Sequence, residues 1–153
     1  MLRLRKYKTS DAQVITKWLK NEYAFRQWSA DRYESYPITA DDMNQYYSQY
    51  NDDALYILTA IDENEITGHI TIRFIDDARK VARLGFVIVD DSKRGKGYGK
   101  QLVSSALNYT FNELKADKAI DNDVSFSVMV NGKAYKLTDC ITLPFCKENQ
   151  EGQ

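Results

Sequence analysis

Residues 94–103, RGKGYGKQLV, place glycines and basic side chains directly in front of an apolar pattern with helical spacing. A helix N-terminus leaves backbone N–H groups unpaired and carries a partial positive charge. Glycines just before it let those N–H groups approach an anion, because no Cβ atom stands in the way. The stretch therefore predicts a cradle for a diphosphate group. Its glycines and basic residues are Arg94, Gly95, Lys96, Gly97, Gly99 and Lys100.

Two other nucleotide-binding patterns do not fit this spacing. A P-loop requires four residues between its first glycine and a Gly-Lys-Ser/Thr sequence. Here the distance from Gly95 to Gly99 is too short, and Lys100 is followed by Gln101. A dinucleotide-binding turn follows the first strand of a βαβ unit, whereas this loop follows a meander of predicted antiparallel strands. Both alternatives are rejected.

Composition narrows the class of protein. A chain of 153 residues is long enough for one domain with its own core, so residues 1–153 are predicted to form a single domain. The net charge of -1 argues against a nucleic-acid or membrane-surface binder. The opening MLRLRKYKTSD lacks the apolar core of a signal peptide, and no apolar run approaches the ~20 residues that span a bilayer. A cytoplasmic location is therefore expected.

The cysteine and histidine content predicts no metal site. Cys140 and Cys146 lie close together, but the chain contains a single histidine, His69, which makes a zinc site a poor fit. Reduced thiols are the expected state of both cysteines in a cytoplasmic protein.

Hydrophobic periodicity predicts an α+β (mixed α/β) domain, with a largely antiparallel central sheet flanked by helices. The predicted elements, in chain order, are a strand at 2–7, a helix from 12, an irregular aromatic segment at 21–38, a helix from 39, strands at 54–62, 66–74 and 81–89, a long helix after 99, a strand at 123–130, a short helix through 134–135 and a last strand at 141–145.

The segment LGFVIVDDSKRGKGYGKQLVSSAL (84–107) resembles the acyl-CoA-binding segment of the GNAT superfamily of N-acetyltransferases. The family signature Gln/Arg-x-x-Gly-x-Gly/Ala corresponds to residues 94–99, and the element order is similar from residue 2 to about 137. The opening RLRKYKTSDAQVITKWL also resembles the subgroup that includes ribosomal-protein N-terminal alanine acetyltransferases. The resemblance implies direct transfer of an acetyl group from acetyl-CoA to the primary amine of a small molecule or peptide.

The resemblance also assigns roles along the chain. The strand carrying Phe86, Val87, Ile88 and Val89 would splay from its neighbour and bind the pantetheine arm of CoA through its backbone. One free N–H of this strand, assigned to Val87, would stabilise the oxyanion of the tetrahedral intermediate. Asn131 would contact CoA or the adjoining loop. The backbone amides implied for the pyrophosphate belong to Gly95, Lys96, Gly97, Tyr98, Gly99 and Lys100, and Arg94 adds charge to the same cofactor site.

The C-terminal segment 137–153 departs from the family, which leaves the acid and base open. Thr138 stands where the family has the tyrosine that protonates the departing thiolate. Tyr135 is the nearby candidate acid, with packing as its alternative role. Candidate bases are Glu22, Asp31 and Glu34, with ordered water as the alternative.

The acceptor pocket is expected among the aromatic residues after the first helix, with Trp28 and Tyr33 in its lining. His69 is expected at a solvent-facing or substrate-edge position on the polar face of its strand. A second reading is a CoA-binding module with weak or lost catalysis, acting in sensing or assembly. The atypical end also predicts an exposed sheet edge through which two copies could pair as a homodimer.

Overall fold

A computed structural model describes residues 2–29, 32–51, 53–93, 95–120, 126–130, 133–137 and 140–142 of the chain. The predictions made for Asp31, Arg94, Asn131 and Thr138 therefore lie outside the described residues. Within the described ranges, no helix is both long enough and apolar enough to cross a membrane.

Eight strands and four α-helices form the described structure. The strands are β1 (Arg3–Lys6), β2 (Tyr56–Asp62), β3 (Glu65–Phe74), β4 (Val81–Val89), β5 (Lys118–Ile120), β6 (Phe126–Val130), β7 (Lys133–Leu137) and β8 (Cys140–Thr142). The helices are α1 (Ala12–Ile15), α2 (Glu22–Ser29), α3 (Ala40–Tyr47) and α4 (Tyr98–Asn108).

The main sheet has the strand order β1-β2-β3-β4-β5-β8, and β6 pairs with β7 in a separate hairpin. All described neighbours in the main sheet are antiparallel except β4 and β5, which are parallel. The mostly antiparallel mixed α/β fold predicted from the sequence is confirmed.

Helix α4 covers one face of the sheet, and the N-terminal helices cover the other. The apolar stripe of α4, which includes Leu102 and Ala106, is fully buried against Ile70 and Ile72 of β3. Gly68 makes this approach close, since a Cβ atom there would lie 3.1 Å from Cδ2 of Leu102. The position of α4 is therefore set by direct contact with β3.

Three sequence predictions of secondary structure are wrong. The aromatic segment predicted as irregular contains helix α2, whose residue Phe25 is completely buried. Strand β5 was not predicted. The helix predicted through Ala134 and Tyr135 is strand β7, and Val130 of β6 pairs with Lys133 of β7. The Asn-Gly pair between them in the sequence lies outside the described residues, and this pair is the one most typical of a two-residue hairpin loop.

A buried carboxylate connects β1, β2 and the start of the first helix. Asp11 is 1% exposed, and it accepts two hydrogen bonds from the guanidinium of Arg5, both at 2.8 Å. It also accepts the backbone N–H of Lys8 at 2.8 Å and the hydroxyl of Thr59 at 2.7 Å. Burial alone would raise the pKa of Asp11, but these donors outweigh it and lower the pKa below its ordinary value.

Replacing Asp11 by alanine is expected to lower the free energy of unfolding by about 3 kcal/mol, because Arg5, the Thr59 hydroxyl and an amide would lose a buried partner. Urea unfolding at pH 7 measures this loss. Asp77→Ala, at an exposed position in the β3–β4 turn, is the matched control and should change stability by less than about 0.5 kcal/mol. Equal losses in the two variants would contradict the structural role of Asp11.

Candidate active site

Strand β4 contains a bulge at Phe86. Thr71 of β3 pairs with Gly85 and His69 pairs with Ile88, so the single residue Ile70 faces both Phe86 and Val87. Phe86 has a φ of 50°, in the left-handed region that a residue with a bulky side chain rarely adopts. One extra residue in a strand reverses which side chains point to which face.

The bulge changes the packing of β4 along its length. Before it, Ala82 and Leu84 pack in the cluster beneath α4. After it, Phe86 and Ile88 pack on the opposite face, with the residues of α1, α2 and α3, while Val87 packs against the α4 cluster. The even-numbered residues of β4 therefore face α4 before the bulge, and they face the N-terminal helices from Phe86 onwards.

Strands β4 and β5 separate just before the bulge. They pair only from Val81 to Arg83 of β4. From Leu84 to Val89, the edge of β4 that faces away from β3 has no strand partner among the described residues. The gap lies at the segment predicted to bind pantetheine, and it leaves backbone groups there able to bond with a ligand.

The glycine loop opens α4 with free space in front of it. Gly95 and Gly97 have φ values of 82° and 83°, which favour glycine, and Gly97 is the residue that precedes the first turn of α4. Gly99 lies inside the first turn. A Cβ atom added at any of the three would meet no atom within 4 Å. No contact within the described chain therefore accounts for the glycine at 99, whereas a ligand lying close to the backbone would.

The described side chains of this loop do not close over the space in front of α4. Lys96 and Lys100 are exposed. Tyr98 donates its hydroxyl hydrogen bond to the carboxylate of Asp62 at 2.7 Å, which ties the start of α4 to the end of β2. The geometry of the loop suits an anion held mainly by N–H groups at the helix start.

On the opposite face of β4, aromatic rings surround Phe86. The ring centroid of Trp28 lies 4.8 Å from that of Phe86, and those of Tyr46 and Tyr47 lie at 5.8 Å and 6.0 Å. Beside these rings is a cavity of about 180 Å³, hereafter the Phe86 cavity. Its lining includes Trp28, Ser29, Arg73, Arg83, Gly85 and Phe86.

Two of the three predicted acceptor residues lie in this region. Trp28 lines the Phe86 cavity, and Tyr33 is buried with its ring stacked on Trp28 at an interplanar angle of 13°. Tyr33 itself lines a neighbouring cavity, together with the exposed candidate base Glu34.

His69 is not at a solvent-facing or substrate-edge position; that prediction is wrong. The residue is fully buried, and its Nε2 lies 2.7 Å from the hydroxyl oxygen of Tyr47. The polar face of β3 does not meet solvent here because the rings of Tyr7 and Tyr47 cover it. Burial lowers the pKa of His69 to about 4.

The candidate base Glu22 is not brought to the cavity. Glu22 is exposed on α2, forms an ion pair with Arg26 at 3.6 Å, and does not line the Phe86 cavity. Tyr135 lies in β7 opposite Val128 of β6. Arg73, Arg83 and Ser29 of the cavity lining were not predicted. Aligning the predicted strands 66–74 and 81–89 as a hairpin could have paired Arg73 with Arg83.

The sequence matches the acetyltransferase (GNAT) family over residues 18–129. This match covers well over half of the chain. The chain belongs to that family. The expectations of an N-acetyltransferase fold and activity, with acetyl-CoA as cosubstrate, are thereby confirmed. The ribosomal-protein subgroup remains a prediction. No curated protein matches the chain.

Solved structures of acetyltransferases share the fold. An aminoglycoside acetyltransferase, AAC(6')-Ib, in complex with coenzyme A gives a TM-score of 0.67 at 16% identity, over 98% of this chain and 99% of that one. Spermidine N-acetyltransferase from Vibrio cholerae, in complex with CoA and spermine, gives 0.62 at 18% identity over 91% of each chain. A chimera of the Vibrio cholerae enzyme and hSSAT gives 0.61 at 24% identity, over 77% of this chain and 67% of that one.

The buried imidazole predicts a loss of stability in mild acid. Because the pKa of His69 falls to about 4 in the folded protein, the unfolded chain, with a pKa near ~6.5, binds the proton more readily. The contribution of the neutral imidazole to the free energy of unfolding is fully present above about pH 6.5. Below that pH, the free energy of unfolding falls by up to about 1.4 kcal/mol per pH unit as the pH drops towards 4. Since His69 is the only histidine, urea unfolding from pH 7.5 to 5 should show this slope, and His69→Gln should flatten it. A flat wild-type profile would contradict the assignment.

The free space at Gly99 gives a second prediction. Gly99→Ala should raise Tm, because alanine favours a helix over glycine by about 1 kcal/mol. It should nevertheless weaken CoA binding about tenfold, since the new methyl group occupies the space in which the diphosphate would approach. Titration calorimetry with CoA measures the change.

Two further variants serve as controls for Gly99→Ala. Lys96→Ala removes only an exposed charge and should change CoA affinity less than about threefold. Gly97→Val should weaken CoA binding and also cost roughly 1–2 kcal/mol of stability, because its backbone is left-handed. Unchanged CoA affinity in Gly99→Ala would place the diphosphate elsewhere.

Proposed function

We propose that this protein acetylates the primary amine of a small molecule or peptide that reaches β4 through the Phe86 cavity, on the face opposite α4. The observation that carries the proposal is the position of the bulge. Phe86 lines the cavity on one face, and its own strand is free of β5 from Leu84 onwards. An amine in the cavity and a thioester in the gap would therefore meet at one short segment of backbone.

The residues of the gap and of the glycine loop fit the cosubstrate. The open edge of β4 from Phe86 to Val89 offers backbone groups to the amides of pantetheine. The N–H groups at the start of α4, with those of residues 95–100, suit the pyrophosphate. Arg94 and Asn131 remain proposed contacts outside the described residues.

In the proposed mechanism, acetyl-CoA supplies the thioester, and the chain positions it and stabilises charge. The N–H assigned to Val87 donates to the thioester oxygen, whose negative charge grows as the amine attacks. The C–N bond forms, the C–S bond breaks, and the thiolate leaves. Such a thiolate, with a pKa near the ~8.5 of cysteine, departs at neutral pH without a strong acid. Tyr135 is the proposed source of a proton where one is needed.

Water is the proposed acceptor of the amine proton. No carboxylate lines the described Phe86 cavity, and Glu22 is engaged by Arg26. Proximity of amine and thioester then provides most of the acceleration. The protonated amine must lose its proton first, so the rate is expected to rise with pH in the neutral range.

A CoA-binding module with weak catalysis is the second candidate. Strand β7 favours it, because the helix expected to carry the acid at this point of the chain is absent. A homodimer formed through a sheet edge also remains a proposal.

Ligand-dependent unfolding tests the proposal. CoA at 100 times its Kd should stabilise the protein by about 2.7 kcal/mol, whereas ATP and NAD at the same concentration should not. Release of free thiol from acetyl-CoA in the presence of an amine panel then measures transfer. Stabilisation by CoA without thiol release from any amine would favour the binding module, and stabilisation by ATP or NAD alone would contradict both candidates.

A further inference from the structure

Arginine side chains dominate the charge of the Phe86 cavity. Arg32, Arg73 and Arg83 all line it, and no aspartate or glutamate among the described residues does. None of the three forms an ion pair with a carboxylate in the part of the chain that the structure describes. The described lining of the cavity is therefore positively charged and includes no carboxylate to balance that charge.

The arrangement of two of these arginines is unfavourable for folding alone. Arg73 of β3 and Arg83 of β4 are direct partners in the antiparallel ladder. Directly opposite residues have Cβ atoms only ~5 Å apart, and like charges there destabilise the pair of strands. A ligand that carries negative charge would relieve this repulsion.

Unpartnered hydrogen-bond donors in the same lining point to an oxygen-rich ligand. Nε1 of Trp28, Oγ of Ser29 and Nε of Arg83 are buried and have no hydrogen-bond partner within the described ranges of the chain. Ser29 is completely buried and lines the cavity. Buried polar groups are rarely left unpaired. Trp and Arg nitrogens can only donate, so the missing partner must offer acceptors.

The field of the arginines extends to the hydroxyl of Tyr50, which also lines the cavity. The hydrogen bond with Tyr46 raises the pKa of Tyr50, and the positive charges of Arg32 and Arg73 oppose that rise. A bound ammonium group near these charges would likewise lose its proton more readily. The same residues would thus help to supply the neutral amine that attacks.

We propose that the Phe86 cavity binds the oxyanion, a carboxylate or phosphate, of an amine acceptor, and that Arg73 and Arg83 determine this specificity. The inference rests on the proposed function and narrows its substrate class. The cavity of about 180 Å³ compares with the ~150 Å³ that accommodates a benzene ring. It is large enough for an oxyanion and a few carbons. A polyamine or aminoglycoside, with several positive charges, would be repelled by the arginines.

Matched amines test the preference. The first pair is phosphoethanolamine and ethanolamine, and the second is an amino acid and its carboxamide, with spermidine as the polycation. Thiol release should give a kcat/KM at least about tenfold higher for the anionic member of one pair. The pair that shows the difference distinguishes phosphate from carboxylate. Preference for the uncharged members or for spermidine would overturn the proposal and leave the proposed function intact.

Variants of the arginines locate the effect. Arg73→Gln and Arg83→Gln should each raise KM for the anionic amine about tenfold, and change KM for acetyl-CoA less than about twofold. Each should also retain or raise Tm, because the like-charge contact is removed. Arg3→Gln, at an exposed position of β1, makes the same change in net charge and should leave both KM values unchanged.

Other results would overturn the inference. A raised KM for acetyl-CoA in Arg73→Gln would assign the arginines to a phosphate of the cosubstrate. An equal effect of Arg3→Gln would show a general effect of net charge. If no amine is acetylated, titration calorimetry of the CoA-loaded protein with the anionic amines shows whether the cavity binds them. If the anionic amines bind and Arg73→Gln abolishes that binding, the cavity assignment is supported even though the proposed function fails. If they do not bind, the cavity assignment is overturned.

Discussion

The left-handed backbone at Phe86 governs the geometry of both halves of the candidate site. It inserts one residue between the pairs His69–Ile88 and Thr71–Gly85. It thereby turns Phe86 towards the aromatic rings and Val87 towards α4. Strand β5 has already separated from β4 at this point, so the bulge lies where the sheet is open. A regular strand would offer neither the cavity lining nor the same free backbone.

This geometry has an energetic cost that the surrounding residues offset. A non-glycine residue in the left-handed region costs of order 1–3 kcal/mol. The rings of Trp28, Tyr46 and Tyr47 hold Phe86 in place, and each aromatic contact contributes roughly 0.5–1.5 kcal/mol beyond the area it buries. The opposed arginines add a second unfavourable feature in the same cavity. Unfavourable local features held by well-packed neighbours are common at functional sites.

The sequence predicted the features that depend on short-range chemistry. The glycines at 95 and 97 and the apolar stripe of α4 follow from local rules, and both were found. The bulge was hidden because VARLGFVIV remains apolar at the positions buried on either face, so the alternation gives no sign of a switch. The burial of His69 depends on Tyr7 and Tyr47, which come from distant parts of the chain. Strand β7 was not predicted, although the Asn-Gly pair before it is typical of a hairpin loop.

The two faces of β4 separate the Phe86 cavity from helix α4, and this separation affects which residues must change for a new acceptor to bind. Arg73 and Arg83, the residues proposed to bind the acceptor, lie across the sheet from α4 and its glycine loop. The close approach of Gly68 to Leu102 fixes that helix independently of the cavity. Substitutions of Arg73 and Arg83 are therefore expected to leave the cosubstrate side undisturbed. A new acceptor would require changes in a few side chains on one face only. In the proposed site, the bulged strand thus carries recognition of the acceptor and binding of the cosubstrate on separate surfaces.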